Sequence, residues 1–153
     1  MGQPRSMRVM HAILLAAFAA ISSGARADAL VEYRIMDGQI AEPLTNEPGN
    51  PARGKNAALS REGGNCFLCH AFPDAGDAQL GNLGPPLAGV GARMSAGQMR
   101  LRLVDSTRIN RASIMPAYYR VDGFSHVASN YAGKPILSAQ QVEDMIAYLL
   151  TLR

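Results

Sequence analysis

The only two cysteines of the 153-residue chain stand three apart with a histidine directly behind the second, in GNCFLCHAF at residues 64–72. Three chemistries use such a pair: a disulfide or redox couple, half of a zinc site, or covalent anchorage of a haem. Which of them applies decides what the chain folds around.

A redox C-x-x-C normally opens a helix after a strand in a βαβ context, and no strand-like stretch precedes Cys66. A zinc site needs a second ligand pair at similar spacing. Beyond residue 27 the only other histidine is His126, isolated in a loop. C-x-x-C-H matches the third chemistry: two thiols add to the vinyl groups of haem, and the adjacent histidine, pinned under the ring, ligates the iron. Cys66, Cys69 and His70 are therefore read as the attachment turn of one haem c.

The amino terminus supports that reading. The first 27 residues carry Arg5, Arg8 and Arg26 but no acid, around an apolar block from Ala12 to Ile21. The block falls short of the roughly 20 apolar residues needed to span a bilayer, and Ala25-Arg26-Ala27 follows it as an A-x-A cleavage pattern. Residues 1–27 are expected to be a secretory signal peptide cut before Asp28. The product would be periplasmic, with no membrane association after cleavage, in the compartment where such haems are attached in bacteria. The whole chain has 15 Lys and Arg against 12 Asp and Glu, but three arginines leave with the signal, so the mature chain is formally neutral. That removes the basic excess that would have suggested a nucleic-acid partner.

What remains suits a single small domain with one core. Residues 28–49 mix short apolar patches with Pro43, Pro48 and Gly49 and read as an arm, while 50–153 form the haem domain. Asn50 before Pro51 predicts a helix start; the helix should run to about Glu62 and end in a left-handed turn at Gly63-Gly64. Ser95 with Gln98, and Ser138 with Gln141, predict two more helices opened by capping boxes. In the second, Val142, Met145, Ile146 and Leu149 form an apolar stripe at helical spacing. The stretches 81–93 and 108–135 are rich in Gly, Pro, Asn and Ser and read as loops that wrap something. The expected fold is mostly α, with amino- and carboxy-terminal helices packed around a covalently bound haem.

A histidine-held iron needs a sixth ligand, and a methionine thioether raises its reduction potential. Of the five methionines beyond residue 27, Met99 and Met145 occupy helical positions that suit a core, Met36 is in the arm, and Met94 precedes the Ser95 cap. Met115 stands in a long loop and is biased away from helix by Pro116. It is assigned as the distal ligand, with His126 the alternative. The backbone at Pro85, in GPPL (84–87), is a candidate acceptor for the Nδ1 proton of His70, although two prolines in a turn need no such role. Leu68, Phe72, Leu80, Leu83, Leu87, Leu103 and Ile114 are candidates for the apolar pocket, and Arg93, Tyr118 and Tyr119 for contacts to the propionates.

Taken together, GNCFLCH, GNLGPPLAGVGAR, SIMPAYYR and LSAQQVEDMIAYLLTL resemble the class I cytochromes c. More narrowly they resemble the SoxX family, the monohaem cytochrome subunits of periplasmic SoxAX complexes. The similarity runs from about Asn50 to Arg153. It implies haem c bound through Cys66 and Cys69, iron ligated by His70 and Met115, Pro85 accepting the His70 proton, and Arg93 meeting a propionate. It also implies a SoxA partner in a heterodimer and a small acceptor cytochrome. In that family the complex is an L-cysteine S-thiosulfotransferase that couples thiosulfate to the carrier SoxYZ. The reactive cysteine lies on SoxA, so this chain would be the electron outlet with no catalytic residue of its own. The arm at 28–49 would help clasp the partner.

Overall fold

The computed structural model describes residues 30–73 and 81–153. The expected signal peptide, the first two residues of the arm and Leu80 lie outside the described residues. Among the described residues the regular elements are helices: α1 (Pro51–Leu59), α2 (Val90–Arg93), α3 (Ala96–Asp105) and α4 (Ala139–Leu149), with 3₁₀ turns at Cys66–Leu68 and Ser106–Arg108. The β pairing among them is a single bridge between Met36 and Gln39. No described helix is long and apolar enough to cross a membrane.

Each long helix begins where a polar side chain replaces the missing backbone acceptor. The Asn50 side-chain oxygen accepts from the amides of Ala52 and Arg53, both at 3.0 Å, with Pro51 as the first helical residue. Both capping boxes form. The Ser95 hydroxyl accepts from the Gln98 amide at 3.2 Å while the Gln98 side chain accepts from the Ser95 amide at 3.0 Å. Ser138 and Gln141 repeat the arrangement at 3.2 and 2.9 Å.

Two local expectations are corrected. Helix α1 stops at Leu59, not Glu62, because Ser60 turns extended and its hydroxyl takes the Glu62 amide at 3.2 Å, the competition that makes serine a poor interior residue. The left-handed residue is Asn65, at φ 48°, rather than either glycine. Asparagine tolerates that region. Helix α2 is a single turn inside the stretch read as loop.

Helix α4 is the centre of the core and lies against both α1 and α3. Its Val142, Met145 and Ile146 are buried as the stripe predicts, with Leu149 half-buried. At Gly54 the backbones of α1 and α4 approach so closely that a Cβ would land on the Asp144 carbonyl. The arm packs inward: Ile40 and Leu44 join the core, and the Val31 amide donates to the Tyr119 hydroxyl at 2.9 Å.

Polar groups tie these layers together. Arg100 and Glu143 form a buried two-point ion pair, Nε to Oε1 at 2.7 Å and Nη2 to Oε2 at 2.8 Å. Both partners also hold the arm, Arg100 through the Ile40 carbonyl at 2.7 Å and Glu143 through the Leu44 amide at 2.9 Å. Burial alone would raise the Asp144 carboxyl. Hydrogen bonds from the Arg53 guanidinium, the Asn50 amide and the Gln140 side chain outweigh it and hold the carboxyl below the ordinary 3.8. Asp105 is likewise lowered: burial opposes, but Thr107 and Arg120 prevail.

Because both folded values lie below the unfolded ones, these carboxylates stabilise the fold above the ordinary value, and the contribution is lost as pH falls through the folded values. The urea midpoint should accordingly be flat between about pH 5 and 7 and drop below about pH 4. Asp144→Asn should flatten part of that acid limb. An unchanged limb in the variant would assign the acid sensitivity elsewhere.

Candidate functional site

After α1, Asn65 turns the chain into the 3₁₀ turn that carries Cys66, and the amides of Cys69 and His70 both donate to the Cys66 carbonyl, at 3.1 and 2.9 Å. This compact turn sets both sulfurs and the imidazole on the wall of one cavity of about 470 Å³. The same cavity is lined by Pro85 and Met115. Thus five of the six residues singled out in the sequence as cofactor ligands or supports meet in one place. Of the pocket candidates, Phe72, Leu83, Leu87, Leu103 and Ile114 line it, whereas Leu68 is 62% exposed and is not among the lining residues. Phe72 is stacked on Tyr148 of α4, ring centroids 6.1 Å apart, which fixes that wall to the core.

The imidazole is oriented from behind. His70 Nδ1 lies 2.8 Å from the Pro85 carbonyl oxygen. A carbonyl only accepts, so the proton sits on Nδ1 and Nε2 keeps its lone pair for a metal. Gly84 belongs to the same cradle: a Cβ there would stand 2.6 Å from Nδ1 and 2.8 Å from Nε2. Only a residue without a side chain leaves the ring this room.

Cys66 and Cys69 form no disulfide. Burial pushes the Cys66 thiol up to about 11, the reverse of the depressed thiol that drives redox C-x-x-C chemistry. Tyr118 lines the cavity, but its hydroxyl donates to the Gly64 carbonyl at 2.7 Å. Tyr119 spends its hydroxyl on the arm. Neither tyrosine is set for a propionate. Arg93 is exposed and is not among the lining residues; its guanidinium donates to the carbonyls of Ala88 (2.6 Å) and Pro86 (3.2 Å), closing the loop that presents Pro85.

Sequence reasoning missed several lining residues, of which four bear on the chemistry. Arg102 is the one Arg, Lys, Asp or Glu side chain on the cavity wall among the described residues. Its spacing after Gln98, whose carbonyl it meets at 3.0 Å, was the signal that placed it on α3 without revealing its face. Met94, Met99 and Met145 also line the cavity, Met99 and Met145 as buried core residues. Met115 differs from Met99 and Met145 in standing outside any helix, as Met94 also does. His126 is exposed, has φ 57°, and lies outside the cavity lining.

The donor set fits haem c: two thiols for the vinyl groups, an imidazole with its free nitrogen available, a thioether, and a mostly apolar cavity with one cation. Residues 51–153 match the family model described as Cytochrome c. Comparison with curated protein sequences gives no match. Among solved structures, a chain in the crystal structure of SoxXA from P. pantotrophus is similar at 36% identity and TM-score 0.73, covering 79% of this chain and 94% of that one.

Proposed function

The chain belongs to the cytochrome c family, and from that premise we propose that it is the one-haem, SoxX-type electron outlet of a periplasmic SoxAX complex. The observation that carries the electron-transfer reading is the single cavity shared by Cys66, Cys69, His70 and Met115. The SoxAX assignment is supported by the similarity to the SoxXA structure.

When bound, haem c supplies a one-electron couple whose potential the protein tunes. Cys66 and Cys69 hold it as thioethers, so neither thiol is left for sulfur chemistry. His70 and Met115 would supply the two protein ligands of its iron. Pro85 fixes the imidazole through its Nδ1 proton, and Arg102 on α3 would be the cation available to a propionate, while Arg93 acts one step removed by keeping the Pro85 loop closed. Phe72, Leu87 and Leu103 would shield the iron from water.

In the complex, joining thiosulfate to a carrier cysteine forms a sulfur–sulfur bond and releases the thiol proton and two electrons. The bond-making cysteine sits on a SoxA partner, and the carrier is of SoxYZ type. Electrons leave singly through this chain to a small acceptor cytochrome. The exposed surface around Leu68, with the outer side of the arm, forms the partner face, and residues 1–27 direct export.

Optical spectra of the exported protein beside Met115→His test the ligation. A covalent haem whose weak red charge-transfer band disappears in the variant is the expected result; a band that persists refutes Met115 ligation. Affinity purification from the native source tests the assembly. Recovery with a second, larger cytochrome is expected, and a haem-bearing monomer without a stable partner would make the chain a mobile carrier instead.

A further inference from the structure

Met115 belongs to no helix or strand, yet both polar groups of its main chain are satisfied inside the loop. Its amide donates to the Ser113 hydroxyl at 3.3 Å, and its carbonyl accepts from the Ser106 hydroxyl at 2.9 Å. The two hydroxyl oxygens are 2.8 Å apart. A hydroxyl carries one proton. Ser106 gives its proton to the Met115 carbonyl, so the proton between the serines must come from Ser113. The bonds therefore run in one direction around a closed ring, from the Met115 amide to Ser113, from Ser113 to Ser106, and from Ser106 back to the Met115 carbonyl.

We propose that Ser106 and Ser113 are positioning residues for the sixth iron ligand, and that this ring sets how readily the Met115 thioether leaves the iron. The proposal rests on Met115 ligation. Both serines line the cavity beside Met115, and Ser106 is only 6% exposed. Ser106 is anchored at the end of α3, where its own carbonyl accepts from the amides of Ile109 and Asn110, both at 3.1 Å. Ser113 is held by its amide to the Asn110 carbonyl at 2.9 Å. The ring thus couples the ligand loop to the end of α3 through a part-buried contact. Bonds that all point one way polarise one another, and each is stronger where water is excluded. Pro116 removes the next amide and narrows the conformations of Met115, which leaves the two serines as the groups that decide where its backbone rests.

The test uses the holoprotein with Ser106→Ala, Ser113→Ala, the double variant, and Ser106→Thr as a hydroxyl-retaining control. Two readouts report on the iron–thioether bond and not on overall stability: the pH at which the red charge-transfer band of the oxidised protein is lost, and the rate of carbon monoxide binding to the reduced protein. Each alanine variant should favour ligand release about five- to tenfold, the scale of a net hydrogen bond, and Ser106→Thr should resemble wild type. The double variant should fall short of the product of the two singles, since the Ser113–Ser106 bond is counted in both. Unchanged ligand release in both singles overturns the proposal, as does a double variant equal to that product. A Met115→Ala control separates the two readings. A band that survives it ends the ligation reading and the proposal together; a band lost in it but unmoved in the serine variants ends the proposal alone.

Discussion

Replacing Arg100 by leucine should cost the folded chain about 3–5 kcal/mol, the range seen when one partner of a buried ion pair is removed. The cost arises because Glu143 stays behind as a charge in the core, 6% exposed, with only the Leu44 amide still donating to it. The arm also loses the guanidinium that held the Ile40 and Ala41 carbonyls. For a chain of this size the loss corresponds to a drop in Tm on the order of 12–20 °C. Thermal unfolding followed by circular dichroism measures it. Combining Arg100→Leu with Glu143→Leu should recover much of the stability, because an apolar pair replaces a stranded charge. A double variant as unstable as the single one would show that the arm contacts, and not the unpaired carboxylate, carry the effect.

The second large effect concerns the imidazole. Gly84→Ala would push a methyl group onto the His70 ring, against Cε1 and both ring nitrogens. The ring must tilt or the loop must retreat, and either movement weakens the bond to Nδ1. Losing such an orienting contact typically costs 10–100-fold in metal affinity, so axial ligation in the holoprotein should yield to added imidazole or to acid about 10–100-fold more readily. Visible spectra across such titrations measure the shift. Curves that overlay wild type would mean that the loop gives way freely and that Gly84 is not part of the imidazole cradle.

The legible parts of this molecule are those whose physics is local. Asn50, Ser95 and Ser138 announced their helices because a cap and its target lie within three residues of each other. The C-x-x-C-H turn, the Pro85 loop and Met115 could be gathered into one candidate site from the sequence because each is carried by a short run of chain. The α1 stop was misjudged because Ser60 competes one turn earlier than the glycines that seemed to end the helix.

Contacts between distant residues left no comparable trace. Arg100 and Glu143 are 43 positions apart and look like ordinary charges on two solvated helix faces. The burial of Ile40 and Leu44 has no period to announce it. Arg93 sits in the motif where a propionate partner was expected, yet Arg102, set on a helix by its neighbours, is the cation the cavity contains. Ser106 and Ser113 are typical loop residues until their hydroxyls are seen to meet.

The docked arm also fixes an order of events. Leu44 hydrogen-bonds to Glu143, 99 positions further on, and Asn50 to Asp144, 94 positions on, so the first segment of the described fold closes onto the last. Contacts of such sequence separation form late and slow the folding of small domains. A chain made from its amino end cannot seat its arm or α1 until α4 exists. During that interval the segment bearing Cys66, Cys69 and His70 is already made, and the closure that completes the core then packs the elements behind its turn.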